Sequence, residues 1–376
     1  MNSSRSRGRC STPPPNYGWT SRSRSSGCGR RAGTDGSVPP VALLLPGAGA
    51  QYPAMAYGLY RYEPAFTTAM DTVLGLLGQT GERLYRLWSS GARLRTVAEV
   101  HPLLFAVCHA LSETVRDRGL RPGAVLGQSV GELVAAVQSG VLPLTDAVRL
   151  VVVQAEALAG APAGGALAVA AAPPAVSPFL RGGTVVAASN GPGQTIVSGS
   201  EFGLAATRRA LEGAGLTWMR VQVPAGLHGP LVAEACRDTL PAFEASEYAV
   251  PHTPLLSGCA GGRPEPERAV DPEFWALQPS RPVLLDAALG QLNTVGALLC
   301  AEVGPGHGLA VQARRHGHRA VSLLDGCVGA PHEERDRLRQ ALDCLVLGDP
   351  AERAARADDG PRASVAWLRP PGRGPA

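Results

Sequence analysis

The sequence feature that most constrains the fold is the stretch 126–132, Leu-Gly-Gln-Ser-Val-Gly-Glu. An apolar run ends at Leu126 and an alanine-rich amphipathic segment follows Glu132, so the stretch predicts a buried strand, a sharp turn and a helix. Ser129 stands at the tip of this turn, here called the elbow. The amide N–H groups that open the helix would face a carbonyl oxygen as it becomes negative. The arrangement predicts acyl transfer through a serine ester.

The Gly-x-Ser-x-Gly spacing is not specific by itself, because a chain with 46 glycines can match it by chance. The alternative interpretation is a tight turn in which small residues merely let a helix pack on a strand. The rest of the chain has to decide between the two.

Composition indicates a soluble globular protein of one large or two ordinary domains, with 376 residues of which 45% are hydrophobic. The net charge of +4 does not indicate a nucleic-acid partner, since seven arginines fall within the first 31 residues and the remainder is near neutral. No apolar run approaches the length of a membrane span. The eight cysteines form no Cys-x-x-Cys pair, so we expect neither a zinc site nor a disulfide framework, but a reducing cytoplasm.

The order of predicted elements indicates an α/β protein with a smaller inserted unit. The apolar run 41–45 reads as a buried parallel strand, and a small-residue loop at 46–51 follows it. From residue 164 the pattern changes to strand, helix, strand, strand, helix, strand, which is the order of a ferredoxin-like unit. The expected boundaries are a disordered tail at 1–40, a large subdomain at 41–160 and 225–345, a ferredoxin-like small subdomain at 164–224, and a second disordered tail at 346–376.

Six motifs in order give the chain a family resemblance. They are Leu-Pro-Gly-Ala-Gly-Ala-Gln at 45–51, Gly-Gln-Ser-Val-Gly-Glu at 127–132, Ser-Asn-Gly-Pro-Gly-Gln at 189–194, Gly-Leu-His-Gly-Pro-Leu at 226–231, Phe-Trp-Ala-Leu-Gln at 274–278 and Glu-Val-Gly-Pro-Gly at 302–306. Together they resemble the malonyl-CoA:acyl carrier protein transacylases and the acyltransferase domains of polyketide and fatty acid synthases. The resemblance covers roughly residues 41–330 and implies an α/β-hydrolase-like large subdomain with a ferredoxin-like small one.

The resemblance also implies roles for particular residues. Ser129 matches the nucleophile and His228 the general base of a Ser-His pair that has no acidic third member. A backbone carbonyl near Gln278 would orient the imidazole. The backbone N–H groups of Val130 and Ala48 match the oxyanion hole; the family usually has glutamine at the position of Ala48, but a backbone donor does not depend on that side chain.

Two departures from the family pattern bear on the acyl group. Gln128 replaces the histidine that usually precedes the nucleophile. Gln154 replaces the arginine that grips the free carboxylate of malonyl or methylmalonyl units, and a neutral amide cannot balance that charge. Together with Leu227, these residues are expected to line an acyl pocket suited to acetyl, propionyl or a similar neutral group. The alternative is that Gln154 has drifted and another arginine reaches the pocket.

The expected function is therefore transfer of a neutral starter unit between CoA and an acyl carrier protein in polyketide biosynthesis. The alternatives are a hydrolase that removes acyl groups from the carrier protein, ordinary malonyl transfer, and a degenerate partner that docks without chemistry. No metal or nucleotide signature is present. We expect no bound cofactor, acyl-CoA and phosphopantetheine as substrates, a ketosynthase as a further partner, no membrane association, and a cytoplasmic location.

Overall fold

The computed structural model describes residues 40–347, apart from 222, 224, 297, 325 and 327–330. The tail expected at 1–40 lies outside these residues except for Pro40. The tail expected at 346–376 lies outside them except for its first two residues, which belong to the last helix.

The larger of two sheets has five strands, and every pairing in it is parallel. In spatial order the strands are β7 (Leu255–Ser257), β2 (Pro122–Gly127), β1 (Val41–Leu45), β8 (Leu299–Pro305) and β9 (Ala320–Leu324). All residues of β1 and β8 are buried. Helices therefore cover both faces, as the continuous apolar run at 41–45 predicts.

Helices surround this sheet. Those before the inserted unit are α1 (Tyr57–Tyr62), α2 (Pro64–Leu76), α3 (Gln79–Ser89), α4 (Val97–Asp117), α5 (Gly131–Ser139) and α6 (Leu144–Ala159). Those after it are α9 (Ala233–Asp238), α10 (Leu240–Glu244), α11 (Pro266–Ala269), α12 (Pro272–Leu277), α13 (Leu285–Val295), α14 (Gly308–Arg315) and α15 (Pro331–Leu347).

The core divides at the central strand. Val41, Leu43 and Leu45 belong to one apolar cluster, which includes many residues of α4, whereas Ala42 and Leu44 belong to a second cluster with α13. This alternation is the two-residue period of a strand that is buried on both faces.

The smaller sheet lies in the inserted unit, and its three pairings are antiparallel. Its strands are β3 (Gly164–Val169), β4 (Val185–Gly191), β5 (Gln194–Ser200) and β6 (Trp218–Val221), in the spatial order β4-β5-β3-β6. Helices α7 (Pro173–Val176) and α8 (Glu201–Gly213) complete it. The first and third strands of the unit pair at its centre, as in a ferredoxin-like fold, so the expected fold class is confirmed.

Helix α15 is the main element absent from the sequence predictions, and it carries the domain past the expected end at 345. Leu338, Leu342 and Leu345 are buried in the main core, and their spacing of four and three residues was the signal that could have found it. Glu334 is also buried and accepts hydrogen bonds from the backbone N–H groups of Ala56 and Gly58. No helix in the described part of the chain combines the length and apolarity needed to cross a membrane.

Candidate active site

The elbow is a strand-to-helix turn. Strand β2 ends at Gly127 and helix α5 begins at Gly131. Between them Ser129 has a φ of 56°, a left-handed conformation that is costly for a residue with a side chain and occurs mainly where surrounding structure enforces it. Ser129 is 7% exposed. The turn therefore holds the hydroxyl in one place at the carboxyl edge of the parallel sheet.

His228 reaches this hydroxyl from a distant part of the chain. Its Nε2 atom lies 2.9 Å from Oγ of Ser129, which is a normal hydrogen-bond distance. Its backbone also has a left-handed φ, 60°. The structure thus brings together the two residues that the motifs single out, across 99 positions of sequence.

A backbone carbonyl orients the imidazole, but it is not primarily that of Gln278. Nδ1 of His228 lies 3.0 Å from the carbonyl oxygen of Arg281, and its backbone N–H donates to the carbonyl of Pro279 at 2.6 Å. The carbonyl of Gln278 accepts the N–H of Arg281 at 3.1 Å within a 3₁₀ turn. The Gln278 carbonyl is thus used inside the turn, whereas Arg281 follows the turn in an extended conformation. The nearest partner of Nδ1 therefore lies three residues beyond Gln278.

The environment of His228 keeps its ring neutral near neutral pH. Burial lowers the pKa of His228 to about 4, against the backbone carbonyls of Arg281 and Gln278, which raise it. A carbonyl oxygen can only accept hydrogen bonds, so the contact with Arg281 requires the ring proton to be on Nδ1. Nε2 is then unprotonated, and its lone pair faces the serine. A neutral imidazole in this tautomer can accept the proton of Ser129.

The loop after β1 closes over the serine. A Cβ atom on Gly47 would lie 2.6 Å from Cβ of Ser129 and 2.9 Å from the carbonyl oxygen of Gln128, so only glycine allows this approach. Ala48 follows directly, and Val130 is the residue at which α5 opens. Their backbone N–H groups belong to the two segments that flank the hydroxyl, as an oxyanion hole requires.

A cavity of about 560 Å³ opens beside this pair. Ala48, Gln128 and Leu227 line it, as do Ser129 and His228. Its wall is mostly small and aliphatic, with side chains from the small sheet that include Ala166, Ala187, Ala188 and Ile196.

The charge on the cavity wall is sparse. Tyr52, Glu302 and His307 are its titratable groups besides His228, and no arginine lies among the described lining residues; the chain has no lysine. Burial raises the pKa of Glu302 to about 7, although the N–H of Ala310 donates to the carboxylate. The described wall therefore offers no permanent positive charge to an anionic ligand.

Gln154 does not line this cavity, which corrects the expected acyl-pocket assignment. It is 2% exposed on α6, and its Nε2 donates to the carbonyl of Trp275 at 3.3 Å. The amide bonds to Trp275 and not to the cavity, because a buried N–H donor needs a hydrogen-bond acceptor. Arg149, on the same helix, donates to the carbonyl of Ala242 and to Oγ of Ser246, so it does not replace the missing cation.

The structure adds site residues that the motifs did not single out individually. Glu302 lines the cavity, as does a group of three amides in which Asn190 and Gln312 both donate to Oε1 of Gln194, at 3.3 and 2.8 Å. Asn190, Gln194 and Glu302 belong to recognised motifs, but only the fold shows that their side chains face this space. The described residues contain no cluster of histidine, cysteine, aspartate and glutamate suited to a metal ion.

Comparison with known proteins defines the class to which this fold and site belong. The sequence profile of the acyl transferase domain family matches residues 43–348. The chain belongs to that family, and its enzyme class is that of an acyltransferase.

Individual relatives are polyketide synthases. One polypeptide of the phenolphthiocerol/phthiocerol polyketide synthase of Mycobacterium tuberculosis is 33% identical over 304 residues, which is 79% of this chain and 20% of that protein. The chain thus spans about a fifth of the length of this curated relative.

Two solved structures are also similar. The acyltransferase domain from the second module of the salinomycin polyketide synthase has a TM-score of 0.75 and 30% identity, covering 89% of this chain and 80% of that one. A loading acyltransferase from the avermectin modular polyketide synthase has a TM-score of 0.71 and 27% identity, covering 81% of this chain and 99% of that one.

Proposed function

We propose that this chain transfers a neutral acyl group, of the size of acetyl or propionyl, from CoA to the phosphopantetheine thiol of an acyl carrier protein in polyketide biosynthesis. The observation that carries the proposal is the hydrogen bond of 2.9 Å between Ser129 and His228 at a cavity without a described arginine in its wall. Acyl-CoA and the carrier thiol are both substrates, and the reaction needs no bound cofactor.

The reaction proceeds in two halves. Nε2 of His228 accepts the proton of Ser129 as Oγ attacks the thioester carbonyl, and the protonated imidazole returns it to the departing CoA thiolate. The serine ester that remains is attacked by the carrier thiol, with His228 again accepting the proton. The low pKa of His228, about 4, supports this role, because the ring starts each half in its neutral form.

Negative charge on the thioester oxygen needs donors in each half. The backbone N–H groups of Val130 and Ala48 supply them in this proposal. A preorganised donor of this kind typically contributes about 2.7–4 kcal/mol to the transition state. Both are backbone groups, so the alanine at position 48 retains the donor.

The charge of the wall favours a neutral cargo. A dicarboxylic acyl group would bury its free carboxylate near Glu302 without a guanidinium partner. An unpartnered member of a buried ion pair costs about 3–5 kcal/mol, which is roughly a hundredfold to several thousandfold in affinity. Gln154 stands at the position of the missing arginine. Its amide donates to the carbonyl of Trp275, so it does not bind the acyl group either.

Similarity to a loading acyltransferase of the avermectin synthase is compatible with transfer of a starter unit. A ketosynthase is a further expected partner, because the curated relatives are polyketide synthases. Cys108, Cys236, Cys259 and Cys300 are free and buried, which is consistent with the proposed cytoplasmic location.

The test is covalent loading followed by intact mass. Purified protein receives acetyl-, propionyl-, malonyl- or methylmalonyl-CoA, and the rate of mass gain at Ser129 is compared with that of Ser129→Ala. We expect propionyl to load at least about a hundredfold faster than malonyl, by the estimate above. Faster malonyl loading would replace the neutral cargo with ordinary malonyl transfer.

A second assay separates transfer from hydrolysis. Protein loaded with a radiolabelled propionyl group is mixed with a carrier protein bearing free phosphopantetheine. We expect the label to move to the carrier, with little free propionate. Release of free acid at the same rate with and without carrier would identify a thioester hydrolase instead.

A further inference from the structure

The residue that follows Ser129 by three positions, Glu132, is buried beside it without belonging to the proposed proton transfer. It lies in the first turn of α5 and is 2% exposed. Its backbone N–H donates to the carbonyl of Ser129 at 2.9 Å, so a hydrogen bond joins the two residues directly. A Cβ atom on Gly127 would lie 2.5 Å from Cα of Glu132 and 2.9 Å from its Cγ. The backbone and the side-chain stem of Glu132 therefore pack closely against the end of β2.

Glu132 binds the loop that follows β7. Oε2 accepts the hydroxyl of Ser257 at 2.6 Å, and Oε1 accepts the backbone N–H of Cys259 at 2.8 Å. The Ser257 hydroxyl in turn accepts the N–H of Ala260 at 3.0 Å. Burial raises the pKa of Glu132 to about 7, whereas the hydrogen bonds from Ser257 and Cys259 lower it and so favour the ionised carboxylate. The side chain thus connects the elbow to residues 125 and 127 positions later in the chain.

The same loop is connected to the segment that holds His228. The N–H of Gly258 donates to the carbonyl of Gly127 at 3.0 Å, and the carbonyl of Gly258 accepts the N–H of Leu284 at 2.7 Å. Leu284 lies three residues after Arg281, whose carbonyl binds Nδ1 of His228. Two hydrogen bonds and the short chain segment from Leu284 back to Arg281 therefore connect the turn bearing Ser129 to the carbonyl that orients the imidazole.

We propose that Glu132 is a positioning residue, which sets the distance between Ser129 and His228 by binding the 257–260 loop to the elbow. The inference rests on the proposed function, because it relates the hydrogen bonds of Glu132 to the reactivity of Ser129 and His228. Glu132 does not line the cavity, and the imidazole of His228 bonds to Arg281 and Ser129. Its effect passes through Ser257, Cys259 and the backbone of the loop. The alternative is that these bonds only stabilise the fold.

A matched pair of variants separates the two roles. Glu334 resembles Glu132, because it is a buried carboxylate that accepts two backbone N–H groups and one hydroxyl, that of Tyr52. Ala56 and Gly58 lie at the start of α1, and Glu334 itself does not line the cavity. Tyr52 does line it, but an amide oxygen at position 334 can still accept the Tyr52 hydroxyl. Glu132→Gln and Glu334→Gln each place an amide where a carboxylate accepted hydrogen bonds, so both should lower the melting temperature.

The readout is the rate at which phenylmethylsulfonyl fluoride modifies Ser129, followed by intact mass well below both melting temperatures. This probe needs the serine and its base but neither CoA nor carrier. We expect Glu132→Gln to slow modification roughly tenfold to a hundredfold, the scale of a misplacement of about 1 Å, and Glu334→Gln to change it less than about twofold. The pH midpoint of modification should also shift in Glu132→Gln alone, since the carbonyl contacts of His228 change with the loop.

Ser257→Ala provides a second route if Glu132→Gln does not fold. It keeps the carboxylate and removes one donor, so it should slow modification in the same direction. Where both variants fold, the double variant should be less impaired than the product of the two single effects, because they remove one shared bond.

Two results would overturn the inference. The first is that Glu132→Gln is modified at the wild-type rate, or that Ser257→Ala is when only that variant folds. The hydrogen bonds of Glu132 would then only stabilise the fold. The second is a wild-type Ser129 that the sulfonyl fluoride leaves unmodified, which would remove the proposed function as well. A wild-type protein that reacts with the sulfonyl fluoride but takes no acyl group from any acyl-CoA contradicts the proposed function alone.

Discussion

The two halves of the Ser129–His228 pair are held in different ways. The turn bearing Ser129 is closed by bonds between neighbours in sequence, from Gly131 to Gln128 and from Glu132 to Ser129, and is attached to β1 by a bond from Gln128 to Leu45. His228 is fixed by carbonyls of Pro279 and Arg281, about fifty residues away. The serine half is therefore a local structure that a short motif can specify. The histidine half exists only once the chain has folded, so it is the half that remote changes can displace.

The largest expected effect is at the serine. Ser129→Ala should abolish covalent loading and reduce turnover by roughly 10⁶-fold, as removal of a nucleophilic serine does in other enzymes. Intact mass after incubation with propionyl-CoA measures it. Ser112→Ala is the matched control, since Ser112 is also buried and its hydroxyl donates to the carbonyl of Cys108. Residual mass gain in Ser129→Ala would place the ester elsewhere.

Loss of the histidine should have a smaller effect, because the serine half persists without it. His228→Ala removes the base and should lower the loading rate roughly 10²- to 10⁴-fold. His252→Ala is the control, with an exposed ring that bonds only to its neighbour Thr253. Single-turnover loading of propionyl-CoA measures both. Equal rates for His228→Ala and the unaltered protein would contradict the role of His228 as base.

A change beside the serine tests how tightly its half is packed. Gly47→Ala places a Cβ 2.6 Å from that of Ser129, so the loop or the elbow must shift. Loading should fall roughly a hundredfold, and the free energy of unfolding by about 1–3 kcal/mol. Gly290→Ala, in α13 where an added Cβ meets no atom within 4 Å, should keep the loading rate and raise stability by about 0.5–1 kcal/mol. An unchanged loading rate in Gly47→Ala would show that the serine half tolerates movement.

The smallest expected effect comes from protonation of the His228 ring. Because burial lowers the pKa of His228 to about 4, the ring is neutral above that pH and protonated below it. The loading rate should be nearly level from pH 6 to 5 and fall to about half at pH 4, by the definition of a single titration. Rates measured from pH 3.5 to 6 check this. A midpoint near 6.5 would mean that the ring is as well solvated as a free histidine.

Several elements follow from sequence alone, and the reasons are local. The run 41–45 is wholly apolar and becomes β1 with the expected bounds. The glycines around Ser129 predict the elbow, and the strand and helix order at 164–224 predicts the ferredoxin-like sheet. By contrast, α15 escaped prediction although its leucines have helical spacing. Many of the residues between the leucines are charged, so the segment does not read as apolar. The structure shows that the leucines are buried in the core.

The site divides in the same way. Motif residues identified Ser129 and His228 as partners, and the lack of an arginine at position 154 indicated a neutral cargo. That Gln154 lies outside the cavity, that Arg281 rather than Gln278 gives Nδ1 its nearest carbonyl, and that Glu132 reaches Ser257 were decided by tertiary structure. Side-chain identity can be read along the chain. Which buried donor meets which acceptor depends on distances set by packing of segments far apart in sequence, and a sequence motif carries no information about those distances.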